Sequence, residues 1–199
     1  MAKSAIIGFC GLAGLLAAGA AAQGDHPRYL PSHDVAVTYS VDRQSSGAPK
    51  QAHMWYSAGT DRLRLETPNQ KGFVLIDRVA KTMTVVMAPQ RIYFQTPLDP
   101  DMAVGFLLNG QMKFARAGTQ TIAGHGCTMW NVESPRATGT VCVTDDGVLL
   151  SGRGRDKDGS GGGLQATEVS YGPQPPTLFV PPADFHKIEI SQMPGNLPR

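Results

Sequence analysis

The sequence predicts a mainly β (α+β) fold, a curled antiparallel sheet or half-barrel of about 10–11 strands with one or two short helices on its concave side. Two observations predict it. Apolar residues alternate with polar ones along most of the chain, which is typical of strands with one buried face. Short turn-rich pieces such as SAGT, PNQKG, APQ and TDDG separate these runs, as they do in an antiparallel meander.

The early runs show the alternation most clearly. In DVAVTYSVD, residues 34–42, three valines and a tyrosine share one face, and RLRLE, residues 62–66, repeats the pattern with two leucines. The later predicted strands are GFVLIDRV, TMTVVMA, RIYFQ, TMWNV, TVCVT, GVLLSGR, LQATEVSY and FHKIEI. Between the last two, PQPPTLFVPP is too rich in proline for a central strand. We expect it to form an extended strap.

One segment departs from the period of two. In LDPDMAVGFLLNG, Asp99 can cap a helix, Pro100 suits a first helical turn and Gly110 suits the stop. This predicts a helix over residues 100–109, with Met102 and Phe106 on its buried side.

The first 22 residues have the pattern of an export signal. Lys3 precedes an apolar run that closes on small residues at Ala20 and Ala22. A retained membrane anchor is the alternative, since the run approaches the length of a bilayer span. We expect a signal peptide over residues 1–22, a lead-in over 23–33, a single β domain over 34–190 and a flexible tail over 191–199. The mature protein is then expected in the periplasm, without stable membrane insertion.

The charge balance excludes some partners. The formal net charge is +2, with no block of like charges, and it falls by one when Lys3 leaves with the signal. Such a chain lacks the basic footprint that binds nucleic acid. We expect a monomer.

Two cysteines remain after the signal, Cys127 and Cys142. An even count in an oxidising compartment predicts a disulfide; two free thiols or half of a metal site are the alternatives. A disulfide that closes such a loop would stabilise the fold by about 3 kcal/mol in the chain-entropy model. A hairpin around the loop ESPR would place the two cysteines directly opposite each other, with Trp130 and Val141 on the other face.

DKDGSGGG, residues 156–163, resembles the start of a calcium loop. Asp156, Asp158 and Ser160 alternate as EF-hand ligands do, but Thr167 stands where the loop needs its bidentate glutamate. The flanking runs are predicted strands rather than helices. We therefore predict a polar hairpin tip, and weak calcium affinity stays the alternative.

Other chemical motifs are absent from the sequence. The five histidines stand in no HExxH pattern, no CxxC occurs, and there is no GxSxG nucleophile elbow. Asp145 and Asp146 in TDDG favour a turn over an acid–base pair. We therefore expect no metal, no cofactor and no catalytic residue.

Methionines supply the candidate ligand site. Met83, Val85 and Met87 would share one strand face, and Met102 and Phe106 of the predicted helix would face them. Met side chains are common in gaps of cores but also on adaptable apolar binding surfaces. We expect these five residues to line a hollow for an apolar ligand.

The run GTQTIAGHGC, residues 118–127, together with CVTDDG, residues 142–147, resembles a bacterial periplasmic family of unknown function with a LolA/LolB-like fold. The resemblance covers residues 34–186. It implies an unclosed antiparallel barrel with helices on its concave side and no known catalysis. Relatives in the wider fold carry or sense lipoproteins, which implies a lipid or a lipoprotein as the partner.

The expected function is thus a non-catalytic periplasmic protein that binds an acyl chain or a lipoprotein in the half-barrel hollow. An envelope scaffold or protein-interaction module without a lipid ligand is the alternative. A hydrolase is a third possibility, which would require a polar pocket with converging Ser, His and Asp side chains.

Overall fold

The computed structural model describes residues 26–43, 51–66, 71–98, 108–135 and 137–189. These residues form one 12-stranded sheet that does not close, in the order β12-β6-β5-β4-β3-β2-β1-β11-β10-β9-β8-β7. The strands are β1 Val35–Arg43, β2 Gln51–Ser57, β3 Arg62–Glu66, β4 Gly72–Asp77, β5 Thr82–Met87, β6 Ile92–Pro97, β7 Lys113–Ile122, β8 His125–Glu133, β9 Ala137–Val143, β10 Leu149–Asp156, β11 Gly161–Tyr171 and β12 His186–Lys187. The predicted mainly β, curled antiparallel fold is confirmed.

The sheet consists of two meanders that meet at β1 and β11. Strands β1 to β6 follow each other as antiparallel neighbours, and so do β7 to β11. Only β12 pairs parallel, against β6. The two helical turns in the described ranges are short 3₁₀ turns, Ala88–Gln90 and Pro176–Phe179. Most of the predicted helix over 100–109, with Met102 and Phe106, lies outside the described residues, as do the signal peptide and the tail.

The second meander curls tightly. Strands β7 and β11 contact each other although β8, β9 and β10 lie between them in the sheet. At the same end, the rings of His125 and Tyr171 stand 5.7 Å apart. The lead-in packs across this end, where the backbone nitrogen of Ser32 donates to the carbonyl of Asp146 at 2.8 Å.

The cores of the fold lie on the two sides of the β8–β9 hairpin. Trp130 and Val143 belong to one cluster of buried residues, whereas Cys127 and Cys142 belong to the main core. In β10, Leu149 joins the first cluster and Leu150 joins the main core. This is the ordinary alternation of a strand, and a register shift between residues 149 and 151 adds one residue to β10 at this point.

The disulfide is confirmed, but the predicted hairpin register is wrong by two residues. Cys127 and Cys142 are bonded with their Cα atoms 5.5 Å apart. Cys142 is paired across the ladder with Met129 rather than with Cys127. A shift of two keeps every side chain on its face, so the predicted separation of the cysteines from Trp130 and Val141 still holds.

Gly139 marks the closest approach within the curled meander. A Cβ at this position would stand 2.3 Å from the carbonyl oxygen of Arg153 and 2.9 Å from the Cα of Gly154. Both atoms belong to the backbone of β10, so no flexible side chain can move aside. Only glycine fits between β9 and β10 at this point.

We therefore expect Gly139→Ala to lower the free energy of unfolding by about 1–3 kcal/mol, the usual cost of overpacking. Gly126→Ala is the matched control, because a Cβ there meets no atom within 4 Å. Urea denaturation of the two variants measures the difference. Equal midpoints would show that the β9–β10 approach is not tight.

Tyr39 ties the two meanders together. It is fully buried in β1, and its hydroxyl donates to the carbonyl of Leu149 in β10 at 2.8 Å. Burial raises the pKa of the Tyr39 phenol, because the anion would lose its hydration.

A raised phenol pKa means that the folded state favours the neutral phenol. The contribution of this phenol to stability is therefore complete below the pKa that tyrosine has in the unfolded chain, about 10. We expect stability to fall as the pH rises above this value. Tyr39→Phe should flatten the fall, at a cost of about 1 kcal/mol at neutral pH for the lost hydrogen bond. Urea midpoints measured from pH 8 to pH 11 test this; identical slopes in both proteins would contradict it.

Candidate functional site

A continuous apolar surface covers one face of β4, β5 and β6. The register aligns Val74, Val85 and Phe94 in one row across the three strands, and Met87 with Ile92 in the next. Met83 lies beside them on the same strand face and packs against the main core. We call this set the β4–β6 apolar face: Val74, Met83, Val85, Met87, Ile92 and Phe94. All six residues are half-buried.

Toward β1, side chains on the same face of the sheet are buried. Leu63 in β3 and Ile76 at the end of β4 are each 1% exposed, and Val35 in β1 is 0% exposed. The register connects these positions to the β4–β6 apolar face without a change of side. Apolar surface therefore remains accessible at the β5–β6 side of the sheet, while the β1–β3 side is a packed core.

This surface includes three of the five residues predicted to line a ligand site. Met83, Val85 and Met87 share one face, as their spacing predicts. Met102 and Phe106 lie outside the described residues. Sequence reasoning missed Val74, Ile92 and Phe94, although each is an apolar residue in an alternating run. The reason is that an alternating run does not show which other strands lie beside it.

The proline-rich strap lies on the opposite face of these strands, and its prediction as an extended segment is wrong over Pro176–Phe179, which forms a 3₁₀ turn. Phe179 of the strap is buried, and so are Leu75, Thr84 and Val86 on the outward side of β4 and β5. The 3₁₀ turn Pro176–Phe179 contacts β3. The strap then leads to β12 at the edge of the sheet.

Arg64 fastens the strap to the sheet. Its guanidinium carbon lies 3.4 Å from the centre of the Phe73 ring and 5.7 Å from that of Trp55. The guanidinium donates to Glu66 at 3.0 Å and to the carbonyl of Leu178 at 3.2 Å. With its side chain only 14% exposed, Arg64 combines stacking with charge-assisted hydrogen bonds.

Two open hollows lie elsewhere, beside the far ends of β9 and β10. Their volumes are about 290 and 360 Å³. The first is lined by threonines, glycines, Asp42, Arg153 and Arg155, and the second includes Lys113, Glu133 and Asp156. Both linings are rich in polar and charged residues, unlike the apolar hollow that the sequence predicts.

A serine, a histidine and an aspartate do meet near the lead-in. The hydroxyl of Ser32 lies 3.1 Å from Nδ1 of His33, and the same nitrogen lies 3.9 Å from the carboxylate of Asp146. A catalytic histidine must use one ring nitrogen for the nucleophile and the other for the acid. Here both partners compete for one nitrogen, so the arrangement is not a catalytic triad.

Asp146 has structural partners instead. Its carboxylate accepts a short hydrogen bond from the hydroxyl of Thr144. Partial burial and the neighbouring Asp146 carboxylate raise the pKa of Tyr171 to about 12. The TDDG segment is a turn, closed by the backbone nitrogen of Gly147 and the carbonyl of Thr144 at 3.0 Å, as predicted.

The DKDGSGGG segment forms the tip between β10 and β11. The backbone nitrogen of Asp156 donates to the carbonyl of Ser160 at 2.8 Å, and the backbone nitrogen of Ser160 donates to the Asp158 carboxylate at 2.8 Å. These bonds shape a polar turn. In the part of the chain that the structure describes, no three His, Cys, Asp or Glu side chains are grouped so that they could hold a metal ion.

No family model matches the chain, and no curated protein matches it in sequence. Solved structures do match in fold. An uncharacterized conserved protein from Thermus thermophilus is 14% identical, with a TM-score of 0.57 over 79% of this chain and 90% of that one. The MucA/MucB complex of Pseudomonas aeruginosa is 16% identical, with a TM-score of 0.52 over 83% of this chain and 61% of that one.

These likenesses, at such low identity, show the fold alone. The chain spans 61% of the length of the matched chain in the MucA/MucB complex. A LolA superfamily protein, NE2245 from Nitrosomonas europaea, also matches, with a TM-score of 0.42, too low for an argument. The open sheet agrees with the half-barrel predicted from the sequence, and the two matched structures above that level share its fold. No helix among the described residues is long and apolar enough to span a bilayer.

Substitution of Arg64 tests the attachment of the strap. We expect Arg64→Met to lower the free energy of unfolding by about 1–3 kcal/mol, since it removes a charge-assisted bond and leaves Glu66 without its partner. It should also speed protease cleavage within residues 173–185. Arg62→Met is the control on the same strand, because the ion pair of Arg62 with Asp77 is more exposed and such pairs contribute about 0–1 kcal/mol. Equal cleavage rates in the two variants would contradict the role of Arg64.

Proposed function

We propose that this protein is a non-catalytic binding protein of the periplasm that holds an apolar ligand, an acyl chain or the lipid-bearing end of a lipoprotein, on the β4–β6 apolar face. One observation carries the proposal. Six apolar side chains on three adjacent strands are only half-buried, while the same face is buried at β1 and β3. Contiguous accessible apolar surface of this kind marks interaction sites.

The surface has the chemistry that an acyl chain requires. Aliphatic, aromatic and thioether side chains line it, and the flexible Met83 and Met87 adapt to irregular partners. Burial of a methylene contributes about 0.8 kcal/mol. Eight buried methylenes would supply about 6 kcal/mol before the cost of association, which corresponds to binding in the micromolar range or weaker. Such a ligand would be held reversibly.

The compartment is supported by two features. The first 22 residues have the pattern of an export signal. The disulfide between Cys127 and Cys142 requires an oxidising environment to persist. Both agree with a periplasmic protein.

A protein-interaction module without a lipid ligand is the second candidate. Strand β7 is the other terminal strand of the sheet, and residues 115–121 along it are exposed. Open strand edges pair readily with extended segments of other proteins. Structures of the same fold include MucB solved in complex with MucA, which supports this candidate by analogy of fold. The competition of Ser32 and Asp146 for one nitrogen of His33 gives no support to hydrolysis.

A charge in the centre of the β4–β6 apolar face tests the leading proposal. We expect Val85→Asp to weaken uptake of a fluorescent fatty acid at least about tenfold, because a carboxylate would have to be buried against the ligand. Val79→Asp is the matched control; Val79 is 76% exposed in the turn after β4, away from this face. Far-UV circular dichroism checks that both variants fold.

Organic extraction and mass spectrometry of the mildly purified protein give an independent readout. No fatty acid uptake by the wild-type protein, or equal uptake by both variants, would overturn the lipid proposal. Cross-linking in cells that captures one constant protein and no lipid would favour the second candidate.

A further inference from the structure

The edge of the sheet beside the β4–β6 apolar face carries a short strand of its own chain. Strand β12 pairs parallel with β6 over two residues, His186 with Ile92 and Lys187 with Tyr93. The backbone nitrogens of His186 and Ile188 donate to the carbonyls of Arg91 and Tyr93, each at 2.9 Å. The edge of β6 therefore accepts an extended segment in parallel register.

The side chains around the pairing of β12 are mostly exposed, apart from the half-buried Phe185 and Ile188. His186 and Lys187 are exposed, and Lys187 reaches Gln95 only at 3.4 Å. Arg91 forms an ion pair with Asp184, with side chains 60% and 58% exposed. Such surface pairs contribute about 0–1 kcal/mol, so the local free energy that holds β12 is small compared with that of the core.

The strap upstream is held independently of β12. Phe179 is buried, and Leu178 is fixed by Arg64. Pro181 and Pro182 follow, and a turn in which the backbone nitrogen of Phe185 donates to the carbonyl of Pro182 at 3.0 Å separates the strap from β12. Strand β12 can therefore leave the edge while the strap stays on the outer face.

A strand in this position contributes to the β4–β6 apolar face. Because side chains alternate, the pairing of His186 with Ile92 places Ile188 on the same side as Ile92 and Phe94. Ile188 is half-buried there. Lys187 points to the other side, as its contact with Gln95 shows.

We propose that the β6 edge is a docking site for an extended segment of a partner protein, and that β12 is an internal occupant which this segment displaces. Charge complementarity defines the segment. It carries an acidic residue at the position of Asp184, which pairs with Arg91, and an apolar residue at the position of Ile188. It adds its strand to the sheet by main-chain hydrogen bonds.

This proposal rests on the proposed function, because the docked segment extends the apolar face that holds the ligand. It assigns the two parts of a lipoprotein to two neighbouring surfaces. The acyl chain lies on the β4–β6 apolar face, and the polypeptide next to it lies along β6.

The test uses a fluorescent peptide with the sequence of residues 182–189, PADFHKIE, and the full-length mature protein. The tethered β12 competes at an effective concentration on the order of millimolar, so the wild-type protein should bind the peptide weakly. Asp184→Lys in the protein places two cations together and releases β12. We expect this variant to bind the peptide at least about tenfold more tightly in fluorescence anisotropy.

Asp158→Lys is the matched control, since it makes the same charge change at the β10–β11 tip and should leave peptide binding at the wild-type level. A charge exchange tests the partner residue. Adding Arg91→Glu to the Asp184→Lys variant restores a pair of opposite charges at residues 91 and 184, so β12 should occupy the edge again and peptide binding should return to the wild-type level.

The docking proposal would be overturned if the wild-type protein and the Asp184→Lys variant bound the peptide equally. It would also be overturned if Arg91→Glu did not change peptide binding by the Asp184→Lys variant. Fatty acid uptake measured on the same samples separates the two proposals. Peptide binding without fatty acid uptake refutes the lipid proposal and leaves the docking site standing. Fatty acid uptake without peptide binding refutes only the docking site.

Discussion

In the part of the chain that the structure describes, the sheet has no second layer and can bury its apolar face only by bending over it, and this constraint governs the fold. Among the described residues, the helical segments are two short 3₁₀ turns, so the strands themselves must enclose the core. Register shifts in β7, β10 and β11 supply the bend, since bulges increase local twist. Gly139 permits the close approach that the bend requires.

The two meanders curl to different degrees, and this difference determines where the candidate site lies. In the second meander β7 comes back to contact β11, and the residues between them form packed clusters. In the first meander the apolar face is buried near β1 and becomes accessible toward β6. The strap covers only the outer side of these strands. Accessible apolar surface is thus what remains where the sheet stops curling.

The sequence predicted most of the strands and less of their arrangement, for a physical reason. Alternation is a local property, so runs such as RLRLE could be recognised as strands, and the common face of Met83, Val85 and Met87 followed from spacing alone. Pairing depends on contacts distant in the chain. The hairpin register was displaced by two residues because either offset keeps Cys127 and Cys142 on one face, and a disulfide can join residues that are not directly opposite.

The same limit explains what was missed at the site. The parallel pairing of β12 with β6 joins segments about 90 positions apart, and Arg64 contacts a carbonyl of Leu178, 114 residues away in the chain. An arginine in an alternating run is ordinarily interpreted as a solvated side chain. Its stacking between Trp55 and Phe73 becomes evident only when β2, β3 and β4 are neighbours.

Strand β10 shows that this architecture depends on the number of residues in a short segment. Two consecutive leucines, Leu149 and Leu150, supply different cores because neighbouring side chains of a strand point to opposite faces, and the register shift gives β10 one residue more than β9 at this point. Loss of that residue would restore a regular strand but leave one of the two cores without its leucine. Insertions and deletions at residues 149–151 are therefore expected to be far less tolerated in related sequences than exchanges among Leu, Ile and Met, so that the length of this segment, more than its composition, identifies chains that share the fold.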